Sequence, residues 1–326
     1  MPQSTNKPVS QLLVIIAFAT VYLVWGSTYF FIKLAEEGGF SPFLLGATRF
    51  LMSGLMLMSW CAIRGEKIFV WKNMVHASIS GILLLTVATG IVIWTEQTLP
   101  SAMVAILVSS SPIWFVLIDW PNWGINLRSR STLMGLFIGF IGVILLFSDQ
   151  IKEILKGDTG SQLPWMLLLI FGTIAWSCGS LYSKYKVTSG SPRVNTAWQM
   201  TAAGVAFIPG VFLNHEYGHI NQLDIGLMGW LSVWYLVIFG SLAAFSAYVW
   251  LLQVRTATQV STYAYVNPVI AVILGIIFAH ESVTFWQIVG LFTILGSVLL
   301  INLAKYRSKQ KVKKTKVLQN ISTAAE

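Results

Sequence analysis

The chain is poor in charge. Of its 326 residues only 10% are Asp, Glu, Lys or Arg, against about 25% in a typical soluble domain. Cysteine is scarcer still. Cys61 and Cys178 are the only two, and they lie in separate apolar stretches, which excludes a disulfide framework and a cysteine-based metal cluster. Polar connecting sequence is short as well, so no soluble domain of appreciable size fits. A cleaved leader is not expected: Ala17–Phe18–Ala19 looks like a cleavage site, but few apolar residues precede it and the apolar run continues past it.

What is present is hydrophobic sequence, 56% of the residues, with a mean hydropathy of +0.72. A membrane-spanning helix needs about 20 mostly apolar residues. Ten segments qualify, near 12–34, 40–63, 72–94, 100–120, 131–148, 164–186, 194–213, 226–252, 256–279 and 284–303. Lipid offers the backbone no hydrogen-bond partners, so the expected fold class is an all-α integral membrane protein with ten transmembrane helices.

The net charge of +9 does not point to nucleic acid, because of where the charges fall. With the N-terminus cytoplasmic and sides alternating, the inner segments hold Lys7, Arg64, Lys67, Lys72, Arg128, Arg130, Lys184, Lys186, Arg193 and Arg255. The outer loops hold Glu36, Glu37, Asp149, Glu153, Asp158, Glu216 and Asp224, with Lys152 and Lys156 as their basic residues. This asymmetry follows the positive-inside rule with both termini cytoplasmic. The basic tail, 304–326, reads as a solvated cluster near anionic headgroups.

The chain reads as one unit written twice. Thr256 to Asn302 gives two spans joined by the polar turn His280–Glu281–Ser282, with Pro268 inside the first span next to Asn267. Earlier, Pro112 stands behind Ser109, Ser110 and Ser111, 156 positions before Pro268. The same shift carries Trp94 to Trp250 and Gln97 to Gln253. A shift of 151 carries Trp25 to Trp176 and Lys33 to Lys184. One of 150 carries Ser41–Pro42 to Ser191–Pro192 and Gly54 to Gly204, while Gln199 stands where the first unit has Arg49. The units span 12–147 and 165–303. Five helices is an odd number, so the second unit enters the membrane in the opposite sense, as in secondary transporters that bind solute at midplane between interrupted helices.

Pro112 and Pro268 are the expected interruptions, since proline removes a donor and clashes with the carbonyl four residues back. Gln259, Tyr263 and Asn267 recur every four residues, and Thr173, Ser177, Ser180 and Lys184 share one helical face. Ser246, Trp250 and Gln253 make a similar face on helix eight. Such faces look at a watery cavity or bond a neighbouring helix. Arg49 lies about 10 Å into its helix, counted from Pro42 at the helical rise. A charge there costs about 2.5–3.5 kcal/mol on insertion scales, so it needs a partner or a task. Glu96 is a candidate partner and a ligand anion the alternative; Asp119 is read as an interfacial charge facing Arg128 or Arg130. The expected substrate-binding set is Trp25, Thr28, Arg49, Trp94, Glu96, Ser110, Trp176, Ser180, Gln259, Tyr263 and Asn267, with Tyr265 as a further wall. Trp60, Trp71, Trp120, Trp123, Trp165 and Trp230 are assigned to the interfacial belt. Gly135, Gly139 and Gly142 form a small face for close packing, within the chain or between two copies.

WGSTYFFIKLA, Arg49 and TEQTLPSAMVAILVSSSPIWFVLI resemble the first repeat of the EamA family; VRTATQVSTYAYVNPVIAVILGIIFAHESVTFWQIVGLFTILGSVLLIN resembles its second, including Glu281. The resemblance implies the drug/metabolite transporter superfamily: ten helices, a plasma-membrane location and movement of small metabolites, often amino acids or related compounds, outward. WPNWGINLRSR stands in the first repeat where the second has AHESVTFWQ, so the turn glutamate has no counterpart. The function expected is secondary transport by alternating access, with Glu96 the carboxylate nominated as proton carrier. Cofactor and metal are not expected. The partners are a small solute and the bilayer, with no nucleic acid, in a monomer or homodimer. One competing motif exists: His215–Glu216–Tyr217–Gly218–His219 satisfies H-E-x-x-H, a zinc metalloprotease signature to which His280 and Glu281 could add a ligand. It lies in a polar connector containing Gly218, which holds tetrahedral geometry poorly. A channel or sensor is the third reading.

Overall fold

The computed structural model describes residues 10–99, 101–148, 151–152, 162–187, 190–216, 225–279 and 284–301. Every regular element among them is helical. In chain order these are α1 (Gln11–Glu37), α2 (Pro42–Ile63), α3 (Trp71–Glu96), α4 (Ser101–Val108), α5 (Ser111–Ile118), α6 (Arg130–Leu146), α7 (Leu163–Lys186), α8 (Pro192–Leu213), α9 (Leu227–Val254), α10 (Ala257–Val260), α11 (Tyr263–Ala279) and α12 (Phe285–Ile301). Seven helices among the described residues are long and apolar enough to cross a membrane, the seventh being the run Ala257–Leu274. An eighth results if the turn Trp120–Asn126 and α6, bent by 98°, count as one span. Residues 101–118 are split into α4 and α5, and α12 is short, so the described residues show seven or eight spans of full length where ten were expected. The outward faces are apolar, as Phe137 and Phe292 illustrate, each 68% exposed; such faces suit a lipid surround.

The chain starts and stops these helices by local chemistry. Pro42 and Pro192 open α2 and α8, where a missing N–H costs no hydrogen bond. Thr284 and Gln287 exchange bonds at the start of α12 (Thr284 N to Gln287 Oε1, 2.9 Å; Gln287 N to Thr284 Oγ1, 3.3 Å), a capping box. α2 ends with Gly65 at φ 68° and Glu66 N bonded to Cys61 O, 3.0 Å; α8 ends 150 positions on with His215 at φ 55° and Glu216 N bonded to Val211 O, 2.9 Å.

α2 and α8 cross at the centre through matched glycines. A Cβ on Gly54 would lie 2.6 Å from Thr201 N, and one on Gly204 would lie 2.6 Å from Leu51 N. Glu216, 7% exposed, then turns its carboxylate onto the start of α2, accepting from Ser41 Oγ (2.7 Å), Leu44 N (2.9 Å) and Phe43 N (3.4 Å). At the opposite end of the crossing, Glu66 accepts from Arg193 at the start of α8, 2.9 Å.

The helix interruptions fall at hydroxyl runs rather than at both prolines. α4 stops at Val108, and Ser110 and Ser111 donate back to the carbonyls of Leu107 and Val108 (2.6 Å each) before α5 begins with Pro112 in its first turn. α10 stops at Val260, and Ser261 and Thr262 donate to Thr258 O (3.0 Å) and Gln259 O (2.7 Å). Short hydroxyl side chains compete for carbonyls in this way and end helices. Pro268 lies inside α11, so the expected break at Pro268 is corrected to Ser261–Thr262. Its effect survives in another form. Ala264 O, four residues back, lacks the N–H that residue 268 would supply, and Ser109 Oγ of the other unit donates to it, 2.9 Å.

The glycine face of α6 is used within the chain. Gly135 meets Ile301, Gly139 meets Ser297 and the ring of Tyr265, and Gly142 meets Ile294 and Gly290 O. Tyr265 is fully buried and donates to Leu136 O at 2.9 Å, so it belongs to this packing. Asp119 likewise departs from expectation. It is fully buried and accepts from Tyr185 Oη (2.5 Å), Asn122 Nδ2 (3.1 Å) and Asn126 Nδ2 (3.3 Å), not from Arg128 or Arg130. The two amides and the phenol satisfy the buried carboxylate with hydrogen bonds, where a flexible arginine at the interface would stay in water.

Candidate functional site

The central cavity lies where α1, α2, α3, α7, α9 and α11 converge, with a volume of about 110 Å³. At about 10–15 Å³ of such volume per water, that is room for a small solute. Two of its walls are π-helical stretches, Ile82–Ala88 within α3 and Leu236–Phe245 within α9, contributing Leu85 and Ala88 on one side and Gly240 and Phe245 on the other. The wider turn, a recurrent feature of functional sites, leaves Gly240 O available to Trp25 Nε1, which donates to it at 3.1 Å.

One end of the cavity is closed by aromatic rings. Trp25 packs against Tyr248 (4.9 Å between centroids), Tyr263 (5.0 Å) and Trp176 (5.5 Å). Trp176 Nε1 donates to Tyr248 Oη (3.0 Å), which also shares a bond with Ser180 Oγ (2.7 Å). Behind this plug Tyr22 Oη meets Thr262 Oγ1 at 2.7 Å. Lys184 Nζ donates to the carbonyls of Leu252 and of Arg255 (2.8 Å for the latter) at the end of α9. A lysine there also suits the negative end of the helix dipole. Toward the other end the cavity extends to Ile32 and Val92.

Arg49 is 6% exposed and lies on the cavity wall. Its Nε donates to Ser241 Oγ at 3.0 Å and its guanidinium lies 5.0 Å from the centroid of the Phe50 ring. The expected pairing with Glu96 is not made: the ion pairs among the described residues are Lys33–Glu37 and Arg193–Glu66. Glu96 sits one turn beyond Val92, outside the lining, with its Oε1 buried and unbonded. Asn267, 4% exposed, also faces the cavity, and its Oδ1 has no hydrogen-bond partner.

Trp25, Thr28, Arg49, Trp176, Tyr263 and Asn267 are thus brought together. The other expected residues are not. Trp94 is 41% exposed against Phe43 and Trp165, in the manner of the interfacial belt. Ser110 is engaged by Leu107 O and Trp114 Nε1. Ser180 supports the plug from behind. Gln259 precedes the α10–α11 break, so its face does not continue through Tyr263, and it meets Thr256 instead. Of the serine-rich face on α7 only Thr173 reaches the cavity, and Ser246 and Trp250 line a separate groove beside Glu66 and Arg193. Tyr29, Thr89, Ser111, Gly172 and the π-helical residues were not expected. No period in the apolar pattern marks them, although the small residues of Gly240–Ser241–Leu242–Ala243–Ala244 hint at close approach.

The model of the EamA-like transporter family matches residues 12–148 and 163–303. The chain belongs to this family. The uncharacterized inner membrane transporter YedA of Escherichia coli K12 is 33% identical over 309 residues, covering 94% of this chain and 96% of its own. The uncharacterized transporter YvbV of Bacillus subtilis is 24% identical over 305 residues, covering 90% and 92%. Protein PecM of Dickeya dadantii is 23% identical over 296 residues, covering 89% and 93%. A crystal structure with 19% identity has the same fold, with a TM-score of 0.73 over 91% of this chain and 99% of its own. The EamA chain described here is accordingly a multi-pass transporter of the plasma (inner) membrane. The metalloprotease alternative loses its glutamate, since Glu216 is committed to Ser41 and the backbone of α2. Among the described residues no group of three His, Cys, Asp or Glu is placed to hold a metal. Residues 217–219 and the turn His280–Glu281–Ser282 lie outside the described residues, as does the basic tail.

Proposed function

We propose that this protein is a secondary transporter that moves a small metabolite, such as an amino acid or a related compound, by alternating access. Ten spans form two inverted five-helix units with both termini cytoplasmic. The solute occupies the central cavity, its anionic group on Arg49 and its apolar body against Trp25, Trp176 and Tyr263. One observation carries this reading: Arg49 is buried on the cavity wall with no acidic partner among the described residues, a costly arrangement unless a ligand completes it. The reciprocal α2–α8 contacts, the paired π-helical stretches and the paired hydroxyl breaks support the two-unit description. By the distribution of basic residues, the plug and Lys184 face the cytoplasm.

The test combines metabolite comparison of medium from overexpressing and deleted cells with counterflow in proteoliposomes, using the solute so found. Saturable counterflow that Arg49→Ala abolishes is expected. Flux without counterflow would make the protein a channel.

A further inference from the structure

Two consecutive residues of α9 fix the two groups that matter most at the cavity. Gly240 gives its carbonyl to Trp25 Nε1, and Ser241 gives its hydroxyl oxygen to Arg49 Nε. Both lie in the π-helical stretch Leu236–Phe245, Gly240 on the cavity wall and Ser241 buried beside it. A Cβ on residue 240 would stand 2.9 Å from an η nitrogen of Arg49 and 3.3 Å from Thr28 Cγ2. Only glycine therefore leaves the guanidinium where it is. With Nε held by Ser241, the η nitrogens are the donors Arg49 has left, and no residue lining the cavity is acidic. Asn267 adds a buried carbonyl oxygen that lacks a donor.

The second unit shows what this pair adds. Gln199, at the position equivalent to Arg49, also bonds a serine next to a glycine: its Nε2 donates to Ser80 Oγ at 3.2 Å, and a Cβ on Gly81 would meet its backbone at 2.1 Å. That side chain is neutral, also bonds Ser183 (2.9 Å), and does not line the cavity. Of two similar Ser/Gly supports, one holds a charged side chain that opens onto the solute space.

We propose that Gly240 and Ser241 are specificity-determining residues, which hold Arg49 and Trp25 so that the site selects a solute presenting one anionic group and a hydrogen-bond donor. The inference rests on the cavity being the solute site. One buried, uncompensated cation is answered by one anionic group; a solute without such a group leaves it unpaired, and a solute that carries only a positive charge is repelled. The donor answers Asn267 Oδ1.

The experiment is titration calorimetry of the purified full chain with 3-hydroxybenzoate, 3-hydroxybenzamide and 3-hydroxybenzylamine, which share a ring and a donor but differ in charge. Wild type is expected to bind the anion about tenfold more tightly than the other two, the scale of one hydrogen bond to a charged group. Ser241→Ala and Gly240→Ala reduce that margin with the melting temperature unchanged, and Ser241→Thr, which keeps the hydroxyl, retains it. A Cβ at 240 presses on the far end of a flexible side chain, so Arg49 shifts before the fold does. Should Gly240→Ala nonetheless lower the melting temperature, Ser241→Ala against Ser241→Thr decides. A full margin in Ser241→Ala and Gly240→Ala, with loss in Arg49→Ala, would overturn the positioning role and leave Arg49 as the anchor. Wild type without a preference for the anion overturns the proposal, and unchanged anion binding in Arg49→Ala removes the cavity as the solute site.

Discussion

Arg49 concentrates the chemistry of the site, and its substitutions are the most informative at the scale of a residue. Arg49→Ala is expected to abolish transport while leaving the amount of protein in the membrane unchanged, measured by flux and immunoblot on the same vesicles. Arg49→Lys should fail as well, because the donors of an ammonium radiate from one nitrogen, which cannot take the place of Nε at Ser241 and also reach the place of the η nitrogens on the solute. A second prediction concerns Ser109. Removing its hydroxyl leaves the Ala264 carbonyl without the donor that Pro268 already denies it, so Ser109→Ala should cost about 1–3 kcal/mol. In the Pro268→Ala background, where an N–H is restored, the same change should cost less. Thermal unfolding of the four proteins in detergent reads this non-additivity, and equal costs in both backgrounds would refute it. Arg49 and Asn267 were legible in the sequence because polar groups at membrane depth need a reason. Trp94 was not: tryptophan serves interfacial belts and binding walls alike, and only the fold shows which side it faces.

At the scale of elements, the α2–α8 crossing was foreshadowed by Gly54, Gly204 and the two Ser-Pro starts. Glu216 was hidden, since its role depends on where the start of α2 lies in space. Glu216→Ala deletes the acceptor of Ser41 Oγ and of two N–H groups, and should destabilise the protein by about 1.5–3 kcal/mol. Glu216→Gln, which keeps one carbonyl oxygen, should cost less. Gly204→Ala forces a methyl group against the backbone of Leu51 and should cost about 1–3 kcal/mol by overpacking; melting temperatures in detergent check both. The helix breaks were assigned to the prolines on sound grounds, yet the hydroxyl runs decide where the chain turns, and Pro268 is tolerated inside α11 because another helix supplies the missing bond. The π-helical stretches left no trace, since an unbroken apolar run fits a wide turn as well as a narrow one.

For the molecule as a whole, the repeated offsets of 150 to 156 positions (41 to 191, 112 to 268) read as two related halves. What they did not reveal is the asymmetry between them: Arg49 faces the cavity, while Gln199 is sealed among Ser80 and Ser183. The proposal of one solute pocket served alternately from either side therefore rests on a single charged anchor between two similar walls. Its most direct test is labelling of one cysteine at Thr28, on the cavity wall, after Cys61 and Cys178 are replaced by serine. A membrane-impermeant maleimide is applied to right-side-out and to inside-out vesicles. Alternating access predicts labelling from both sides, slowed on both by saturating solute; labelling from one side only would contradict it.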